Sequence, residues 1–266
     1  MGCAARLPRI SVVKAPETAI VDTTVASVAA YPFALLNDLS SLRWMLHYSA
    51  SKAGLKGTVR LAEEGIDFSL AGEPAALQGR LDARQVDPCF AALPPKRSKN
   101  AAMPFARLKV KLKREIIRMN QPTVRPALSR AAAVDAPTLE RYLQAGRCGA
   151  GRDLVLRDTR NSLEVDAGDF EGAVDWRMRA FGDFPRTLAA HAPALAGNTV
   201  VSYCTGGIRC EMAALWMQQQ GIEHALQPDG GILGYSDAVP GAPGWRGRCF
   251  VFDEREGLGT ELQAAA

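Results

Sequence analysis

The segment Thr199–Tyr203, followed by Cys204-Thr205-Gly206-Gly207-Ile208-Arg209-Cys210, constrains this chain more than any other. An apolar run with no polar alternation belongs to a strand buried on both faces, which implies a parallel sheet covered by helices. The strand runs into a cysteine and two glycines, and then into a helix expected from about Ile208 to Gln220, with Gly221 as its stop. Gly206 and Gly207 let the backbone curl without a Cβ clash. Such a turn directs N–H groups inward as an anion-binding nest, and the helix adds its positive N-terminal end. Both lower a cysteine pKa. Cys204 is therefore the candidate nucleophile, in a loop of Thr205, Gly206, Gly207, Ile208, Arg209 and Cys210, with Arg209 expected as a cation near the mouth. The competing reading is a structural cysteine at a strand end. Cys210 either packs in the interior or resolves an oxidised Cys204.

Further strand and helix signals alternate around this segment. Thr138 to Gly146 reads as a helix, Phe184 to Leu195 as helical in part, and Leu154-Val155-Leu156 as a short buried strand. Residues 138–253 are thus expected to form an α/β domain with a parallel sheet flanked by helices. An α+β domain is expected before it, over 25–119. Val25 to Leu36 reads as a strand. A helix capped by Ser40 and ended near Gly54 follows, with Leu39, Leu42, Met45 and Leu46 on its apolar face. Thr58 to Ala62 and Ile66 to Ala71 read as strands joined at Glu63-Glu64-Gly65, a turn expected to be solvated, and Pro74 opens a second helix. Arg107 to Lys113 alternates strictly, with Leu108, Val110 and Leu112 on one side and Arg107, Lys109, Lys111 and Lys113 on the other. The order β-α-β-β-α-β is the ferredoxin-like pattern. Residues 120–137, with Pro122, Pro126 and Pro137, read as a linker. Residues 1–24 show no period and are expected to be a loose, disordered extension, and 254–266 a C-terminal tail.

Charge is segregated. Lys96 to Arg118 holds nine cations and a single acid, Glu115, so the stretch carries +8 within a chain of +4. Such a patch suggests a polyanionic partner. Lysines on an edge strand also guard against aggregation, so a solvated edge is the plainer alternative. None of the six cysteines forms a Cys-x-x-Cys pair, and none of the three histidines has a partner at zinc-ligand spacing, so no metal site is expected. No apolar run approaches the roughly 20 residues that span a bilayer, and no signal-peptide core is present, which points to a cytoplasmic protein. Trp44, Trp176, Trp216 and Trp245 are scattered and expected to pack or to lie at interfaces, and Cys249 is expected to pack.

The C-terminal half resembles a rhodanese domain. The resemblance is carried by Asp158-Thr159-Arg160, by the run from Glu164 to Ala173 (where Asp169-Phe170-Glu171 replaces a His-Ile-Pro), and by Asp229-Gly230-Gly231-Ile232 after the last strand. Asp158 and Arg160 are expected to brace the loop. Rhodanese-related phosphatases carry Cys-x5-Arg, whereas Cys204 and Arg209 have four residues between them, which disfavours a phosphatase. From Val25 to Arg255 the chain also resembles the oxygen-dependent tRNA uridine hydroxylases. These are bacterial proteins in which a ferredoxin-like domain precedes a rhodanese domain. The motifs are Leu61-Ala62-Glu63-Glu64-Gly65-Ile66, Arg107 to Ile116, Tyr203 to Glu211, and Cys249-Phe250-Val251-Phe252-Asp253-Glu254-Arg255. Two positions depart from that pattern. Asp67 replaces an Asn, and Gly234 stands before Tyr235 where a Lys is usual.

The resemblance implies an oxidoreductase that hydroxylates the wobble uridine of tRNA at C5, with dioxygen as co-substrate and the anticodon loop as partner. No cofactor is identifiable from the residues, and the electron donor is not indicated. Arg107, Lys109, Lys111 and Lys113 are the candidate tRNA-binding residues, since cations on one strand face can track phosphates. Cys204 could add to uracil C6, or carry oxygen as an oxidised sulfur. Two other functions remain open: a sulfurtransferase with a persulfide on Cys204, and a non-catalytic RNA-binding module.

Overall fold

The computed structural model describes residues 25–85, 96–100 and 102–263. The expected extension, 1–24, and the last three residues of the tail lie outside the described residues. The first sheet contains β1 (Val25–Ala30), β2 (Lys56–Ala62), β3 (Gly65–Gly72), β4 (Lys96–Asn100) and β5 (Leu108–Leu112), in the order β4-β1-β3-β2-β5. Two helices, α1 (Leu39–Lys52) and α2 (Pro74–Gln85), cover one face. Val28, Val59, Leu61, Phe68, Leu70 and Val110 meet Leu46, Ala50, Leu77 and Leu81 in that core. The fold is the α+β arrangement expected, with one correction. The fourth strand of the β-α-β-β-α-β set is Lys96–Asn100, paired antiparallel with β1, and not the basic strand. The basic strand is a fifth, on the opposite edge and parallel to β2. Lys-Arg-Ser-Lys-Asn carries no apolar alternation, so nothing local marked it as a strand. The ladder with β1 is what orders it.

Smaller differences have local causes. The first strand ends at Ala30 rather than Leu36 because Pro32 lacks an N–H. Its carbonyl instead accepts Ile66 N–H, and the following segment is tied to the β2–β3 turn through Ala34 N–H to Glu64 O and Leu36 N–H to Glu63 O. Asp38, not Ser40, caps α1 by accepting Ser41 N–H. Leu46 and Ala50 are the buried residues of α1, whereas Met45 is exposed beside Trp44 and Tyr48, whose rings stack 5.3 Å apart. Glu64 is not a solvated turn residue. Its carboxylate accepts Ile116 N–H at 2.7 Å, and burial raises its pKa to about 7.

The second sheet is parallel, in the order β6-β10-β9-β7, from β6 (Ala133–Val134), β7 (Leu154–Asp158), β9 (Thr199–Tyr203) and β10 (Ala225–Pro228). Between these run α3 (Ala136–Ala145), α4 (Ser162–Ala167), β8 (Gly168–Phe170), α5 (Phe184–Leu195) and α6 (Ile208–Gln219). The chain continues through α7 (Gly231–Ala238), β11 (Trp245–Gly247), β12 (Cys249–Phe250) and β13 (Gly257–Leu258). This is the α/β half expected, a parallel sheet flanked by helices. Seven consecutive residues of α6, Arg209 to Leu215, are buried, so the helix is enclosed nearly all round rather than amphipathic as its Ile208, Met212 and Leu215 spacing suggested. No helix among the described residues is long and apolar enough to cross a membrane.

The segment 120–137 does more than connect. Val134 belongs to β6 of the second sheet, and Val124 and Ala131, with Met119 just before the segment, are buried with Phe184, Leu188, Met212 and Met217. Phe33 of the first half packs against the same cluster. The tail returns, and Arg255 Nη1 donates to Ser98 Oγ at 2.8 Å and to Asn100 Oδ1 at 2.9 Å on β4. Met119→Ala is expected to destabilise the second half by about 2–5 kcal/mol, as truncation of a fully buried methionine does. Chemical denaturation followed by Trp176 and Trp216 fluorescence would measure it.

Candidate active site

Cys204 lies at the C-terminal end of β9, in the crevice where open parallel sheets hold their ligands. The turn after it reaches Gly207, at φ 117°, and α6 begins without a side-chain cap, so its first N–H groups are free to face the sulfur. Gly207 N–H donates to Cys204 Sγ at 3.1 Å. The loop is held from behind by α7. Ile232 N–H donates to Cys204 O at 3.0 Å and Leu233 N–H to Thr205 O at 3.1 Å. Gly231, at φ +64°, must be glycine there, because a Cβ would collide with the Cys204 carbonyl.

Burial raises the Cys204 thiol pKa, yet the balance falls the other way. The Cys210 sulfhydryl, the Arg209 guanidinium and the backbone N–H groups of Cys210 and Gly207 together bring it to about 6. Cys210 Sγ sits 3.8 Å from Cys204 Sγ and 3.0 Å from Gly207 O. Its own thiol is pushed up by burial and by the neighbouring Cys204 charge. The pair therefore splits into a thiolate at Cys204 and a neighbouring thiol at Cys210, whose sulfhydryl lies against Gly207 O. Cys210 is packed in the interior and still touches the reactive sulfur, so the two roles considered for it are compatible.

Arg209 is not at the mouth. It is buried, with Nη1 and Nη2 donating to Glu164 at 2.6 and 2.7 Å. Glu164, fully buried at the start of α4, also accepts from Asn161 N–H and from Thr205 Oγ1. A guanidinium in the interior needs a counterion, and the Asn161-x-x-Glu164 capping-box spacing was the available sign of it. Asp158 and Arg160 form a second buried pair, at 2.6 Å, and Arg160 also donates to the carbonyls of Glu164 and Gly168. Thr159 ties this corner to Tyr203 O at 2.7 Å. Cys249 is buried against the same corner, and burial raises its thiol pKa to about 12.

The first half supplies the opposite wall. Pairing places Lys109 beside Thr58, Lys111 beside Arg60, and Arg60 beside Asp67, all on the sheet face turned away from α1 and α2. Tyr31 follows Ala30, the partner of Phe68, and so joins the Asp67 row. Arg107 and Lys113 flank β5 and are exposed, as are Lys109 and Lys111. Asp67 pairs with Arg60 at 2.5 Å, so its extra negative charge is spent within the sheet. The contact of Tyr31 with Gly206 and Gly207 brings the end of this row to the loop. The Tyr31 hydroxyl donates to Gly206 O, and Lys96 Nζ of β4 lies against Gly230 and Gly234. A cation thus occupies the neighbourhood where a lysine at position 234 would stand. Tyr31 carried no local signal and Lys96 only its place in the basic run, because tertiary packing alone brings them to the loop. Arg130, from the expected linker, pairs with Glu211 in the first turn of α6 at 2.8 Å.

The thiolate assignment has a direct readout. The rate of Cys204 alkylation by iodoacetamide should rise with pH through an inflection near 6, against about 8.5 for an ordinary thiol. Cys210→Ala, which removes the sulfhydryl that helps lower the Cys204 pKa, should move that inflection upward. Peptide mass spectrometry across pH 4–10 would measure both.

Comparison with known proteins gives the same answer as the motifs. Residues 25–116 match the UPF0176 acylphosphatase like domain. The chain is 50% identical over 242 residues to a tRNA uridine(34) hydroxylase of Variovorax paradoxus, covering 91% of this chain and 92% of that one. It is 50% identical over 244 residues to that of Bordetella pertussis, covering 92% and 100%. With the protein of the same name from Thiobacillus denitrificans it shares 48% over 240 residues, covering 90% and 96%. At that identity, and over nearly the full length of both partners, this chain belongs to the tRNA uridine(34) hydroxylase family.

Proposed function

We propose that this protein hydroxylates uridine 34 of tRNA at C5 with dioxygen, and that Cys204 activates the base. The observation that carries this reading is the meeting of two features at one place. A thiolate loop at the end of a parallel sheet is met by Tyr31 of the first half, and the sheet that continues from Tyr31 bears Arg60, Lys109 and Lys111 on its helix-free face. A phosphate chain running over those cations would hold an anticodon loop, whose bases are unpaired at the tip and can be turned outward.

Uracil is electrophilic at C6. Addition of the Cys204 sulfur there forms a C–S bond and sends the electron pair into the C5–C4–O4 enolate. The carbanionic C5 then attacks dioxygen, and one proton gives a C5 hydroperoxide. Two electrons and two protons from an external reductant cleave the O–O bond to a C5 hydroxyl and water. Loss of the C5 proton expels the sulfur, restoring the thiolate and leaving 5-hydroxyuridine. Arg209 and the Gly207 N–H keep the sulfur charged between turnovers, with the Cys210 thiol 3.8 Å from it.

Cys204→Ser is expected to abolish 5-hydroxyuridine and the modifications built on it, measured by nucleoside mass spectrometry of tRNA from a complemented deletion strain. Normal levels in that strain would rule out the role given to Cys204. Loss of thiolated nucleosides instead would select sulfur transfer through a Cys204 persulfide. The cationic face makes a separate prediction. Lys109→Ala with Lys111→Ala should weaken tRNA binding and flatten the slope of log affinity against log salt by roughly 1.5, the counterion release of two phosphate contacts. An unchanged slope would leave the basic strand as a solvated edge.

A further inference from the structure

Cys204 has no exposed surface, yet a sulfur that adds to a base must touch it. The side chain pressed on its loop from the first half of the molecule is Tyr31. Its hydroxyl donates to Gly206 O, and a Cβ on Gly207 would strike the phenol. Two adjacent glycines thus leave a flat slot against the loop backbone, and an aromatic ring fills it. Burial raises the Tyr31 phenol well above its ordinary pKa, so it stays a donor.

We propose that Tyr31 is the gate of the thiolate site, its ring holding the place that the target uracil takes when it reaches Cys204. The inference rests on the hydroxylase reading for the identity of the incoming ring, and on the geometry alone for the gate. Tyr31 sits between the end of β1 and Pro32, whose carbonyl is held by Ile66 N–H at 3.1 Å. The backbone is therefore anchored, and rotation about χ1 is the motion available to the ring. Among the described residues, only the hydroxyl bond to Gly206 O must break. Uracil carries an N3–H donor that can satisfy the released carbonyl, so the exchange strands no buried acceptor. Cytosine carries a lone pair at N3 and cannot make that replacement from the same ring position; its donor is the exocyclic amine instead.

The gate is tested on the full chain by the rate of Cys204 alkylation with iodoacetamide at pH 8, read by peptide mass spectrometry. Tyr31→Phe keeps the ring and loses one hydrogen bond, and a rise of about fivefold is expected. Tyr31→Ala removes the ring as well and should exceed about tenfold. In both variants the pH inflection should stay at its wild-type position, because a gate changes access and not the charge of the sulfur. Wild-type rates in Tyr31→Ala overturn the proposal, as does a rise explained wholly by a shifted inflection. Should Tyr31→Ala lose its cooperative melting, Tyr31→Phe decides, and a wild-type rate there overturns it. These measurements need no turnover. A Cys204→Ser variant that still hydroxylates tRNA would remove the reading of the site while leaving the gate to stand or fall on alkylation.

Discussion

The buried ion pair between Arg209 and Glu164 is what the active-site corner depends on. Arg209 begins α6 just after the reactive cysteine, and Glu164 belongs to α4 on the far side of the loop. Removing either partner would leave an uncompensated charge in the interior, at a cost of about 3–5 kcal/mol. The same carboxylate accepts from Thr205 and Asn161, so it fixes the first residue after Cys204 and the helix start at once. With the loop held in this way, the guanidinium acts on the sulfur from a constant position. The thiolate is stabilised by groups already in place, which is electrostatic preorganisation rather than a response to substrate.

The fold distributes the two tasks of such an enzyme between its halves. The parallel sheet presents a sulfur at the end of a strand, enclosed by α6 and α7. The first sheet offers a polar face on which cations stand in rows. The seam between them is not a flexible hinge in composition. Met119, Val124 and Ala131 are buried in the second core, Phe33 packs there from the first half, and Arg255 reaches back to β4. A rigid seam matters because the distance between bound phosphates and the reacting base is fixed by the RNA. A site assembled from two halves can serve that substrate only if the halves keep their spacing.

Much of this was legible locally. Strand Thr199–Tyr203, the glycine turn and the helix after it carry their structure in short-range patterning, and Phe184–Leu195, expected to be helical in part, is a helix throughout. Local patterning failed where neighbours decided. The strand Lys96–Asn100 has no apolar alternation, and β1 alone makes it a strand. Met45 has the spacing of a core residue, but Leu46 and Ala50 take the sheet side of α1. Arg209 looked like a surface cation because its counterion lies 45 residues away in sequence.

The sequence by itself determined the chemistry available: one cysteine at a strand end before two glycines, a cysteine six residues on, and a run of cations with a single acid. Those properties depend on residue type and spacing alone. Tertiary structure decided how they act. It buried Cys204, set Cys210 against it so that one sulfur is charged and the other is not, and turned Arg209 inward onto Glu164. It also brought Tyr31 and Lys96 across from the other half to close the loop's open side. Contacts between residues more than a hundred positions apart are set by the packing of whole elements, and no short stretch of sequence contains them.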